Sequence, residues 1–152
     1  MEIRVDDPRR PDVAGLLRDH VEAMTADSPP ESDHSLDVAG LCAPEVTFWT
    51  AREGPALLGC GALLELDARH GEIKSMRTAA AHLRTGVASA ILRRIIEEAR
   101  RRSYARLSLE TGSMPAYAPA RALYARFGFV PCEPFGSYGP DPYSVYMTRG
   151  LP

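Results

Sequence analysis

Lysine is almost missing from this 152-residue chain: Lys74 stands alone against 17 arginines. That scarcity argues against a nonspecific polybasic role. The formal net charge of −2 likewise gives no global pull toward nucleic acid or an anionic membrane, so neither is expected as a partner. Long apolar runs are missing too; none approaches the ~20 residues that span a bilayer. Residues 1–10 are strand-like and then charged, unlike a signal peptide. Cysteine is scarce and odd in number. Cys42, Cys60 and Cys132 are far apart and show no metal-ligand spacing, so buried thiols in a reducing cytoplasm are expected. The four histidines, His20, His34, His70 and His82, form no cluster, and no metal site is expected. There is no repeat, low-complexity segment or linker, and the length suits one domain, residues 1–152, with a sizeable core.

What is present is an ordinary globular composition, 45% hydrophobic and 25% charged, with alternating and helical periods in sequence. Residues 1–6 read as a strand. Val13, Leu16, Leu17, Val21 and Met24 recur at helical spacing from about Pro11 to Ala26. Pro29 and Pro30 end that helix in an acidic loop over 28–33, and a short helix is expected at 35–41. Residues 46–52 and 56–67 make a hairpin across Glu53-Gly54-Pro55. Gly59 and Gly61 mark a bulge or a close backbone approach within it. A turn at 68–71 leads to a third strand, 72–78, then a helix to about Arg102, then a strand at 104–110. Strand, helix, strand is one βαβ unit, so those two strands should be parallel neighbours. On the helix, Glu97–Arg101 and Glu98–Arg102 read as pairs on a solvated face. A helix over 118–127 follows, with Pro119 in its first turn and Gly128 as its stop, then strands at 129–132 and 144–148.

The stretch from His82 to Leu92 carries the strongest chemical signal. Its helix opens at Gly86, and the first turn gathers no Asp or Glu. It holds His82, Arg84, Thr85 and Ser89 instead. A helix start with a glycine, hydroxyls and a cation, and no acid of its own, suits an external anion, phosphate above all; an ordinary capped surface helix is the alternative.

Two motifs add to this. Gly86-Val87-Ala88 follows a strand ending in Met76-Arg77-Thr78, and Ala120, Leu123, Tyr124, Gly128 and Phe129 spell Ala-x-x-Leu-Tyr-x-x-x-Gly-Phe. In this order and spacing the chain resembles the GNAT superfamily of acyl-CoA-dependent N-acetyltransferases. The string Glu72-Ile-Lys-Ser-Met-Arg-Thr78, with Ser108-Leu-Glu-Thr-Gly-Ser113 later, is similar to its bacterial YsnE-type branch. The resemblance departs at Leu83, where the phosphate-loop signature has Gln or Arg; the arginine sits one place on, at Arg84. It departs again at Tyr117, where many members have Asn.

The resemblance implies an α/β (α+β) fold: a mixed, mostly antiparallel, twisted sheet of about six or seven strands, flanked by about four helices, with a parallel pair splayed at its centre. It implies acetyl-CoA as cosubstrate and no metal. Leu83, Arg84, Thr85, Gly86, Val87, Ala88 and Ser89 would wrap the pyrophosphate, the backbone of Met76 and Thr78 would bond the pantetheine amides, and Tyr117 would touch cofactor or acceptor. Tyr124 corresponds to the tyrosine that commonly protonates the leaving thiolate. For the general base, Glu110, Glu72 and Glu65 all qualify, directly or through water, with Glu110 at the end of its strand favoured. The implied activity is direct acetyl transfer, through a ternary complex, to a primary amine of a small or amino-acid-like acceptor. A protein N-terminus or side chain as acceptor, or a non-catalytic acyl-CoA-binding module, are the alternatives. The acceptor pocket would come from residues 25–37 and 133–143, and a homodimer is consistent with many relatives.

Overall fold

The computed structural model describes residues 1–27 and 37–152, with the side chains of 20–27 left out. The acidic loop at 28–33, His34, the start of the short helix expected from Ser35, and the side chains of Val21 and Met24 therefore lie outside the described residues. Seven strands form one sheet in the order β1-β2-β3-β4-β5-β7-β6. The elements are β1 Glu2–Val5, α1 Pro11–Asp27, the single turn α2 Val38–Leu41, β2 Val46–Glu53, β3 Ala56–Asp67, β4 His70–Thr78, α3 Val87–Arg101, β5 Arg106–Gly112, α4 Ala118–Arg126, β6 Val130–Cys132 and β7 Ser144–Gly150. Every pairing is antiparallel except β4 with β5, the βαβ unit expected from sequence. This is the mixed, mostly antiparallel sheet with a central parallel pair that the resemblance implies. Among the described residues no helix is long and apolar enough to cross a membrane.

Each face of the sheet buries its own core. On one, α3 lays down Val87, Ile91, Leu92, Ile95 and Ile96, all buried. Each such side chain contributes roughly 1.5–3 kcal/mol on burial, so this stripe decides how α3 docks. The contact is close because β3 offers glycine. A Cβ on Gly59 would sit 2.7 Å from the Arg77 carbonyl oxygen and 2.9 Å from a Val87 methyl, and one on Gly61 would sit 2.6 Å from the Met76 sulfur. The other face is covered by α1 and α2, with Val13, Leu16, Leu17 and Leu41 packed on Phe48, Cys60 and Ala62.

Three expectations need correction. Glu98 is not on a solvated face: it is buried and bonds Arg101 and Arg102, and Arg102 reaches on to Thr47. Arg101 therefore turns to Glu98 rather than Glu97, one step round the helix. Of the cysteines only Cys60 is buried, where desolvation pushes its thiol up to about 12 and keeps it unreactive; Cys42 is exposed and Cys132 intermediate. Finally, β4 starts two residues earlier and β5 ends two later than the alternation suggests, because pairing with neighbours, not side-chain pattern, sets strand length.

Two buried carboxylates make stability acid-sensitive. Burial alone would raise the Asp6 carboxyl, but hydrogen bonds from Thr50, the Asp7 amide and Arg52, with Arg10 beside it, outweigh that and hold it far below its ordinary range. Glu98 is bonded by Arg101 and, against the opposing effect of burial, by Arg102, which brings it from an ordinary 4.5 to about 2. A depressed carboxyl stabilises the folded chain fully above its unfolded pKa, and that contribution is lost as pH falls toward the folded one. The urea midpoint is therefore expected to drop steadily from about pH 5 to about pH 2. In Glu98→Gln that slope should be shallower; an unchanged slope would show that Glu98 is not responsible.

Candidate active site

The parallel pair at the centre of the sheet stays together only briefly. Its register runs from His70 opposite Arg106 to Ile73 opposite Leu109 and stops there. Beyond that point β4 stays with β3, and β5 stays with β7 through Gly112. The parting coincides with a bulge in β4. Its register against β3 slips between Cys60 and Ala62, and Ser75 takes φ of 56°, a left-handed conformation rarely adopted by serine. The result is a cleft of about 820 Å³ between β4 and β5, roofed by the start of α3 and by α4. That volume lies in the range of small-molecule and cofactor sites. The β4 edge beyond Ile73 has no strand partner among the described residues, so backbone donors and acceptors of Lys74 to Thr78 on that edge face the cleft.

One end of the cleft suits an anion. Gly86 caps α3 in the left-handed region, φ 89°, with no side-chain cap and no acid in the first turn. The amides of the first turn thus donate to no cap side chain, and no acidic residue of that turn offsets the helix dipole. A Cβ on Gly86 would meet nothing within 4 Å, so the space above that backbone is open. Leu83, Arg84, Gly86, Val87, Ala88 and Ser89 all line the cleft, as do Met76 and Thr78. Arg84 is itself left-handed, φ 63°, and exposed. Thr85 falls outside: its hydroxyl bonds the His82 carbonyl, and it lines a smaller hollow on the far side of the loop. Tyr117 lies on the backbone at the end of β5, so close that a Cβ on Gly112 would be 2.2 Å from its ring. It too lines the cleft.

The middle of the cleft brings Tyr124 and Glu110 together. Tyr124 is buried, edge-on to Phe129, and burial, with the Glu110 charge, pushes its hydroxyl above the usual phenol range. It therefore keeps its proton through neutral and mildly alkaline pH. Glu110 accepts a bond from Ser144 at 2.8 Å. Its rivals are differently placed. Glu72 lines the cleft but is buried, accepting from Tyr138 at 2.6 Å and Lys74 at 3.2 Å. Glu65 accepts from Tyr104 and does not line the cleft.

Sequence reasoning passed over Arg77 and Tyr138. Arg77 lines the cleft, and its Nε is buried without a partner among the described residues. Tyr138 comes from the Pro- and Gly-rich loop after β6 and closes a network with Lys74 and Glu72. The only signal for the first was its place in an alternating strand. For the second it was aromatic residues recurring in a loop, at Phe135, Tyr138 and Tyr143.

Acetyl-CoA fits this cleft on its own features. First-turn amides without a cap side chain and the open space over Gly86 suit the pyrophosphate, Arg84 is at hand, and the open edge of β4 suits an amide-bearing chain. Comparison with known proteins gives the family. Residues 14–129 match the family described as the acetyltransferase (GNAT) family. Over 151 residues the chain is 59% identical to the uncharacterized N-acetyltransferase YsnE of Bacillus subtilis (strain 168), covering 99% of this chain and 100% of the other. It is 49% identical over 149 residues to the uncharacterized N-acetyltransferase YedL of Escherichia coli (strain K12), covering 98% and 94%. A solved GNAT family acetyltransferase from Elizabethkingia anophelis with acetyl-CoA bound matches with a TM-score of 0.68 at 16% identity, covering 99% of this chain and 97% of that one.

Proposed function

Because the chain belongs to the acetyltransferase (GNAT) family, we propose that it moves an acetyl group from acetyl-CoA to a primary amine of a small, amino-acid-like acceptor, both bound together in the cleft between β4 and β5. The observation that carries the reading is the arrangement along that one cleft: an anion-ready helix start at one end, and a protonated phenol near a carboxylate in the middle. Acetyl-CoA, when bound, supplies an activated thioester. The chain supplies the rest. First-turn amides of α3 and Arg84 hold the pyrophosphate, and the β4 edge at Met76 and Thr78 holds the pantetheine amides. Leu83, Val87, Ala88, Ser89 and Tyr117 shape the walls, while Thr85 acts only by holding the loop to His82.

Glu110 takes the proton that the acceptor ammonium must lose, directly or through water. Tyr124 holds a proton where a departing thiolate needs one. The two stand on different layers: Glu110 shares the sheet face covered by α1, and Tyr124 belongs to the core on the α3 face. An amine approaching from one side and a proton delivered from the other agree with direct attack.

The test is purified protein with acetyl-CoA and a panel of primary amines. Amine-dependent release of free CoA is expected, with an acetylated product of matching mass. Acetyl-CoA binding without turnover on any small amine or peptide amine would overturn the catalytic reading.

A further inference from the structure

We infer that Arg77 is the acceptor's carboxylate anchor, so that the acceptor is an amine carrying a carboxylate, in the manner of a free amino acid. The inference rests on the acetyltransferase reading of the cleft and names the substrate class for it. Register places Arg77 opposite Cys60, and Lys74 opposite Ala62. Cys60 and Ala62 pack with Val13, Leu16 and Leu17 of α1. Directly opposed residues on neighbouring strands share a face, so Arg77 and Lys74 project toward the α1 side. Glu110 projects there as well: Glu72 is level with Ser108 on β5, and Glu110 is two residues further along. The phosphate-ready start of α3 packs on the opposite face. Arg77 is thus a cation on the acceptor side of the sheet, separate from the cations of the phosphate loop.

Arg77 also stands out by what it does not bind. The buried Arg52 is held by Asp6 and Asp12, and the half-buried Arg102 by Glu98. Among the described residues the Arg77 side chain has no hydrogen-bond partner at its Nε, which is buried. A buried Nε–H without a partner loses hydration and gains nothing in return, unless a ligand completes it. Lys74 does not share this role. It is committed to Glu72 at 3.2 Å and Tyr138 at 2.9 Å, and its charge is balanced by Glu72. Among the described residues, this wall also carries a positive group, Arg77, and a negative group, Glu110, which accepts from Ser144. That charge pattern complements a zwitterion: carboxylate on the guanidinium, which it can grip through two parallel hydrogen bonds, and ammonium toward Glu110.

The experiment uses matched acceptors that differ only in the carboxylate: phenylalanine and phenethylamine, leucine and isoamylamine, histidine and histamine. The wild type is expected to prefer the amino acid of at least one pair by on the order of 100-fold in kcat/KM. In Arg77→Ala that preference should collapse toward unity through a rise in acceptor KM, with acetyl-CoA affinity kept. Arg77→Lys, which keeps charge but loses the two-pronged geometry, should fall between. Equal use of both members of every pair by the wild type overturns the inference. So does weakened acetyl-CoA binding in Arg77→Ala with acceptor KM unchanged, which would move the guanidinium to the cofactor. If nothing turns over, the catalytic reading fails instead, and calorimetry still decides Arg77. Amino-acid binding that is lost in Arg77→Ala supports the anchor, and binding that is absent or equal in both proteins overturns it.

Discussion

Tyr124→Phe is expected to lower kcat by roughly 100- to 10,000-fold, the range by which a positioned general acid contributes. Acetyl-CoA affinity should change by less than about threefold, because an interaction used only in the transition state leaves ground-state binding alone. The ring is buried against Phe129, so phenylalanine keeps the packing and the fold. What is lost is one proton at one place. The pH profile sharpens the test. Burial and the nearby Glu110 charge raise the Tyr124 pKa, so in the wild type its acid form persists well past the pH where a free phenol would begin to ionise. No alkaline loss of rate should therefore trace to Tyr124 below about pH 10. Stopped-flow or steady-state thiol release on both proteins gives the answer. Unchanged turnover would mean that water, not Tyr124, protonates the leaving group.

Gly86→Glu is the second large effect: acetyl-CoA affinity should fall at least ~100-fold, and turnover with it, through like charge at the phosphates. Two causes are mixed in that variant, and a second substitution separates them. Gly86 has φ of 89°, so any side chain strains the backbone, by roughly 1 kcal/mol for alanine. A Cβ there meets no protein atom within 4 Å, so alanine adds that strain and no internal clash. Gly86→Ala should accordingly lower thermal stability slightly and weaken binding only a few-fold by calorimetry. The remainder of the loss in Gly86→Glu belongs to charge and bulk in the open space. Wild-type affinity in Gly86→Glu would remove this loop from the cofactor site.

Much of the molecule was legible in the chain. The stripe from Val87 to Ala99 announced α3, because side chains at i, i+3 and i+4 must share a face whatever lies opposite. Gly59 and Gly61 announced a close approach, because only glycine leaves room for a helix against a strand, and the structure places α3 there. The Ala120 to Phe129 motif announced α4 and its stop, and Gly128 has the left-handed φ that such a stop uses. These are short-range properties, written within a few residues of where they act.

Other features had no such local code. Ser75 bends β4 from a left-handed position that a serine codon does not advertise, and the opening of the cleft depends on that bend together with the register of β3. Glu98 read as a surface residue until Arg101, Arg102 and the approach of Thr47 enclosed it. Tyr138 and Glu72 are 66 residues apart and bond because a loop folds back over the sheet. By itself, then, the sequence determined the order of elements, the helical faces, the glycine positions and the helix start suited to an anion, since backbone sterics and side-chain period act over a turn or two. Where β4 and β5 part, which carboxylates are paired, and that the Arg77 Nε has no partner among the described residues were decided only by tertiary structure. Strand register and charge pairing are properties of neighbours in space, and distance along the chain does not encode them.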